Sequence, residues 1–309
     1  MKSINSSQKI TPFLWYNNQA EAAMNFYVSV FPNSEILLEK RWSEKSPFPK
    51  ESTVPGTIQQ GVFTIDGFQV YAFDAGPTFS FNPSISFYTV FETSRKLDET
   101  WNKLMDGGQV LMPLDRYDWS DRYGWITDRY GMSWQLSLGQ LSDVGGQRIT
   151  PLVMYSGAQQ GHAEEALSHY LSIFKNSSLD GITRYEGDEQ GPEGMVKHAQ
   201  CHLAGQPFML MDNGTDSNIP FTEAISFYVN CKDQTEVDHY WESFTNEGKE
   251  SVCGWLKDKY GVSWQIVPDF LTDKMRGDAP EKQQRMMDAI LQMKKLDVEV
   301  LKKKFNGVR

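Results

Sequence analysis

The chain has 309 residues, 39% of them hydrophobic and 13% aromatic, enough apolar material for packed cores and too much for bulk disorder. Its 30 basic and 40 acidic residues give a net charge of −10, which argues against a phosphate backbone as partner. No run of about 18 apolar residues occurs, so no membrane partner is expected, and the opening MKSINSSQKITPF lacks the apolar stretch of a secretory signal.

In chain order, a short apolar strand is predicted at 11–16. A helix over 20–31 follows, with Ala20, Ala23, Met24, Tyr27, Val28 and Phe31 on one face and Pro32-Asn33 ending it. Strands near 35–42, 57–65 and 68–74 come next, the last two joined by the two-residue turn Asp66-Gly67. The order then recurs. A strand at 84–91 precedes a helix from Arg95 to about Met105, with Ser94 as its cap and Leu97, Trp101 and Leu104 on one face. Gly107-Gly108 closes that helix, and strands near 109–114, 123–127 and 133–138 complete the set. The segment 115–122, DRYDWSDR, reads as a surface loop, with Trp119 as a lid or a cavity wall as the alternative.

The chain then repeats itself. KITP at 9–12 returns as RITP at 148–151, and QAEAAMNFYVSVFPNS (19–34) returns as HAEEALSHYLSIFKNS (162–177). ISFY stands at 85–88 and 225–228, and GWITDRYGMSWQ (124–135) returns as GWLKDKYGVSWQ (254–265). Order and spacing are kept, so the chain is two copies of a unit of about 130 residues, four β-α-β-β-β modules in all. The expected divisions are 1–143, 144–270 and a helical tail, 271–309, with a flexible linker near 139–147. Whether each copy builds its sheet alone or shares modules stays open. In the tail, 283–291 and a stretch capped by Asp297, with Val298, Leu301 and Phe305 on one face, are helical; they cover their own sheet or make a homodimer contact. Net charge runs −4 over 1–146, −10 over 147–269 and +4 over 270–309. Cys201, Cys231 and Cys253 form neither a disulfide framework nor a metal motif, so a reducing cytoplasm is expected.

Paired β-α-β-β-β modules resemble the vicinal-oxygen-chelate superfamily of glyoxalases, bleomycin-resistance proteins and extradiol dioxygenases. The words ITPFLWYNNQAEAAMNFYVSVFPNS, HAQCHLAGQPFMLMDNG and DKYGVSWQIVP resemble its PhnB-like branch, labelled a demethylubiquinone-methyltransferase domain. The resemblance implies an α+β fold of tandem domains, each a curled mixed sheet of two modules with helices outside. It also implies a cup that often holds a divalent metal, with ligands on the first strand of each module and the last strand of the second.

Strand alternation says which residues face that cup. On 133–138, Trp134, Leu136 and Leu138 share the packed face, leaving Gln135 on the other, with Gln265 as its counterpart. By the same rule Ser86, Tyr88, Ser226 and Tyr228 face the cup, as do Trp125 and Trp255. Trp15 and Gln60 complete the candidate lining in the first copy, where the second has Met154 and His198. Glutamine replaces the carboxylate, and the first strands FLWY and LVMY hold no His or Glu, so no metal and no cofactor are expected. Gln135 and Gln265 either bind a ligand or satisfy the sheet. His198 and His202 share a strand face but lie about 13 Å apart, too far for one ion. His162 and His169 read as structural. No glycine-rich βα turn suits a nucleotide-like methyl donor, so methyl transfer is not expected. The expected partner is a small, partly aromatic organic molecule, bound in cups lined by Trp, Tyr and Gln. A metal-dependent lyase, isomerase or dioxygenase and a ligand-free interaction scaffold are the alternatives.

Overall fold

The computed structural model describes residues 8–44, 51–187, 191–277 and 279–308. The first module is β1 (Ile10–Tyr16), α1 (Ala20–Val30), β2 (Ile36–Arg41), β3 (Ile58–Ile65) and β4 (Phe68–Asp74). The second is β5 (Ile85–Phe91), α2 (Ser94–Met105), β6 (Gln109–Tyr117), β7 (Ser120–Thr127) and β8 (Ser133–Leu138). A 3-10 turn, Leu141–Val144, leads to the third: β9 (Ile149–Tyr155), α3 (Ala163–Ile173), β10 (Ser178–Arg184), β11 (Val196–Leu203) and β12 (Gln206–Asp212). The fourth is β13 (Ile225–Cys231), α4 (Gln234–Thr245), β14 (Lys249–Glu250), β15 (Trp255–Lys257) and β16 (Ser263–Pro268). Three tail helices close the chain: α5 (Asp269–Arg276), α6 (Pro280–Ile290) and α7 (Val298–Asn306).

Among the described residues, one compact unit takes 12–225 and the other takes 8–11 with 226–309. The first holds a complete eight-stranded sheet in the order β10-β11-β12-β9-β5-β8-β7-β6. Its central pair, β5 with β9, is antiparallel and joins the second module of one repeat to the first module of the next. Strand pairing therefore crosses the repeat boundary. The same unit carries β1 to β4 in the order β2-β3-β4-β1, with β1 parallel to β4. The second unit carries β14-β15-β16-β13, with β13 parallel to β16.

Repeated anchors explain why each module closes in the same way. Asp128, at the turn before β8, accepts from the backbone N–H of Tyr130 and Met132, from Trp134 Nε1 at 2.8 Å and from the Tyr27 hydroxyl at 2.9 Å. Asp258 does the same for Tyr260, Val262 and Trp264 Nε1 before β16. Asp74 and Asp212 each tie the start of a helix to the start of the module's third strand: Asp74 accepts from Ala20 and Ile58, Asp212 from Ala163 and Val196. Trp134 is fully buried, with Tyr27, Phe31 and Phe87 rings 5.2–5.4 Å away. Trp264 sits likewise against Phe227 and Phe244.

Three local expectations change. Thr93, not Ser94, caps α2 by accepting from the Lys96 N–H, because Thr93 is the residue left in extended conformation. On α1 it is Val30 rather than Val28 that is buried. The segment 115–122 is not a loop: β6 and β7 run on through it as one long hairpin, stiffened by the stacked rings of Tyr117 and Trp119.

Candidate functional site

The eight-stranded sheet packs α2 and α3 on one face; among the described residues its other face carries no α-helix. Register and alternation place Thr150, Tyr88, Gln135 and Trp125 in one cross-strand row of the free face. The next row is Gln200, Met209, Leu152, Ser86 and Ser133. Met154 pairs with Met211 beyond it, and His198 shares the face of Gln200 on β11.

The sheet curls round this face. Tyr88 on β5 and His198 on β11 have two strands between them, yet their ring centroids are 5.9 Å apart. Lys197 Nζ, also on β11, lies 5.5 Å from the Trp119 ring at the end of the β6–β7 hairpin. In a flat sheet those strands would stand about 24 Å apart, so the two edges have closed towards each other. A register shift in the β10–β11 ladder, where Thr183 faces His198 and Arg184 faces Val196, leaves Lys197 as the extra residue. Such a bulge re-aims its side chain.

The floor of the hollow is polar and neutral. Gln135 is 3% exposed; its Nε2 donates to Ser86 Oγ at 3.0 Å and its Oε1 accepts from the Tyr123 hydroxyl at 2.8 Å. Trp125 Nε1 donates to Ser133 Oγ at 2.7 Å. Burial raises the Tyr123 and Tyr88 phenols above their ordinary range, so both are donors at neutral pH. His198 is densely surrounded although part of it reaches solvent. Burial lowers its imidazole to about 4, which leaves it neutral at pH 7. An apolar cluster adjoins it: Val90, Leu152, Met154 and Met209 pack together, with Tyr88, Trp125, Met211 and Ile219 half-buried at their margin.

The other candidates lie elsewhere. Trp15 and Gln60 share a face of β1–β4, where the Trp15 ring meets Phe73 and Phe79 and its Nε1 donates to Gly76 O at 2.8 Å. Ser226, Tyr228, Trp255 and Gln265 share a face of the second unit, in register with one another as their first-copy counterparts are. There Gln265 Nε2 donates to Ser226 Oγ at 2.9 Å, but the Tyr228 hydroxyl is 2.5 Å from Thr272 Oγ1 on α5. That helix falls at the start of the expected helical tail but outside the two stretches named in it; its eight residues come directly after β16 and cover Tyr228, which is 8% exposed. Tyr123 was missed as well. Its signal was its place beside Gly124-Trp125, where the second copy has Cys253.

The donor set at Gln135 does not fit a hard divalent cation. Its carbonyl is already engaged by a neutral phenol, and Ser86, Tyr88, Trp125 and Thr150, its hydrogen-bond partner and row neighbours, bring no carboxylate or imidazole. Among the described residues no group of three His, Cys, Asp or Glu side chains is placed to hold a metal ion.

Comparison with known proteins mirrors the repeat. A family profile described as 3-demethylubiquinone-9 3-methyltransferase matches twice, over residues 8–137 and 147–267. Among solved structures, the chain is similar to the PhnB protein of Bacillus cereus, with 40% identity over 43% of this chain and all of that one, at a TM-score of 0.40. It is 31% identical to a protein from Staphylococcus aureus, over 43% of this chain and 97% of that one, at a TM-score of 0.18. Glyoxalase I from Zea mays shares 12% identity over 89% of this chain and all of that one, at a TM-score of 0.54, which shows the glyoxalase-like fold along the length of the chain. No curated protein matches.

Proposed function

We propose, for a chain that belongs to the 3-demethylubiquinone-9 3-methyltransferase family with its PhnB-like domain in tandem, that the curled sheet of the first unit binds a small, partly aromatic organic molecule without a catalytic metal. One observation carries the reading. Tyr88, Trp125, His198, Met211 and Ile219, from two different repeats, ring one concave face and are all only half-buried, while Gln135 and Ser86 form a neutral hydrogen-bonding floor. Aromatic and thioether walls with few polar groups suit a flat, uncharged ring system. The methyl transfer in the family's description gains no support from these residues, which include no phosphate-cradling turn.

The reading places the protein in a reducing cytoplasm. All three cysteines are free, and burial pushes the Cys201 and Cys231 thiols up to about 12. Among the described residues no helix is long and apolar enough to cross a membrane. A ligand-free scaffold is the second reading, favoured by the packing of Val144 against the same apolar cluster. Calorimetric titration with neutral naphthol, indole, acetophenone and a benzoquinone separates the two. Binding that weakens about tenfold on Tyr88→Ala or His198→Ala supports the first. Absence of binding to every compound overturns it.

A further inference from the structure

The segment joining the two repeats enters the hollow. After β8 the chain makes the 3-10 turn Leu141–Val144 and leaves through Gly145 and Gly146. Val144 is 5% exposed and belongs to one cluster with Val90, Leu152, Met154 and Met209; Leu141 packs at its margin. Those partners are free-face residues of β5, β9 and β12, so the turn puts a valine and a leucine where the proposed ligand would lie. Its ties are mostly internal. The Gly145 and Gly146 N–H groups donate to Leu141 O, Asp143 N–H donates to Gln140 O at 3.1 Å and Gln140 N–H to Asp143 Oδ2 at 3.3 Å, while Gln200 Nε2 on β11 donates to Asp143 O at 2.6 Å. Gly145 and Gly146 have φ of +69° and +77°, a backbone that costs little only for glycine. Gly145 is the left-handed cap of the turn and lies against His202 and Pro207, whereas Gly146 has open space beside it, which makes the pair the place where the backbone can pivot.

A second observation points to a missing partner on that face. Thr150, in the row of Tyr88 and Gln135, is fully buried, and its Oγ1 has no hydrogen-bond partner among the described residues. A buried hydroxyl left unpaired is destabilising, because it has given up its water without gaining a partner. The side chains that the turn packs into the cluster, Leu141 and Val144, have no polar atom to offer it.

We infer that the turn Leu141–Val144 is an internal plug that swings out on Gly145-Gly146 when a ligand enters, and that the ligand is an uncharged molecule whose apolar body replaces the leucine and valine and whose carbonyl or hydroxyl pairs with Thr150. The inference rests on the reading of the hollow as a ligand site and adds its regulation: apparent affinity is the intrinsic affinity reduced by the fraction of protein that is unplugged.

Two measurements on the full chain test it. In Val144→Cys, labelling by a chromogenic disulfide reagent is followed site by site, with buried Cys201 as reference. The thiol at 144 is expected to react about tenfold faster than Cys201 through local opening, and faster again with saturating naphthol. Reaction no faster than at Cys201, or protection by naphthol, overturns the plug. In the second measurement, Leu141→Ser with Val144→Ser is expected to bind naphthol about fivefold tighter than the parent. Equal or weaker binding by a variant with an unchanged circular dichroism spectrum overturns the plug and leaves the hollow as a ligand site. Absence of binding by both proteins overturns both.

Discussion

The faces of β5–β8 and β13–β16 start from the same residues and end differently. Ser86, Tyr88, Trp125, Ser133 and Gln135 on one correspond to Ser226, Tyr228, Trp255, Ser263 and Gln265 on the other, and both glutamines donate to their serine. On the first face Tyr123 caps the glutamine carbonyl and Trp125 donates to Ser133. On the second, Cys253 stands in place of Tyr123, Thr272 of α5 takes the tyrosine hydroxyl, and Ser263 Oγ is buried with no partner among the described residues. The stretch of chain just beyond the last strand decides the outcome. After β8 comes a four-residue turn on a glycine hinge, and after β16 comes a helix fixed by a hydrogen bond. A duplicated pattern is thus covered by a four-residue turn on one face and by a helix on the other.

The comparison presumes that the two cores beneath these faces are alike, and the largest expected effect tests that. Asp128→Ala and Asp258→Ala each strip a buried tryptophan indole and two backbone N–H groups of their acceptor. Each is expected to cost about 3–5 kcal/mol in urea unfolding, because the donors left behind are out of reach of water. A cost below about 1 kcal/mol at either site would mean that the repeats differ in their cores and not only on their faces.

Much of this was legible in the sequence. Helix and strand periods marked the four modules, and alternation put Ser86, Tyr88, Trp125, Gln135 and His198 on one side because a strand side chain has only two sides to choose from. Pairing partners were not legible. A strand pattern records burial and not which strand lies beside it, so nothing local said that β5 of one repeat would pair with β9 of the next. Short coverings were equally hidden. Leu141 and Val144 make too brief an apolar pattern to stand out, and the one buried residue of α5 is Thr272, a polar residue that a search for an apolar stripe passes over.

A smaller effect separates the faces by charge. The Tyr88 face holds His198, whereas the Tyr228 face carries no histidine among its candidates. Folding lowers the His198 imidazole from an ordinary 6.5 to about 4. Below 6.5 the unfolded chain takes up a proton that the folded chain refuses until about pH 4. The contribution to stability is therefore complete above pH 6.5 and is lost as pH falls towards 4, by at most about 3 kcal/mol. His198→Gln, the residue found at Gln60, should flatten this part of the pH profile of urea unfolding. An unchanged slope would show that other groups govern it.

The smallest effect is the sharpest, because it predicts a loss at only one of two equivalent serines. Ser133→Ala leaves the Trp125 indole N–H without its acceptor and should destabilise by about 1 kcal/mol. Ser263→Ala removes a buried hydroxyl that has no partner among the described residues, so it should be neutral or stabilise by up to about 1 kcal/mol. Both substitutions delete one oxygen from a serine at most 1% exposed, so size and burial cancel between them and the hydrogen bond remains as the difference. Urea unfolding of the two single variants measures it directly. Equal losses at both positions would mean that Ser263 has found a partner and that the second face is as well satisfied as the first.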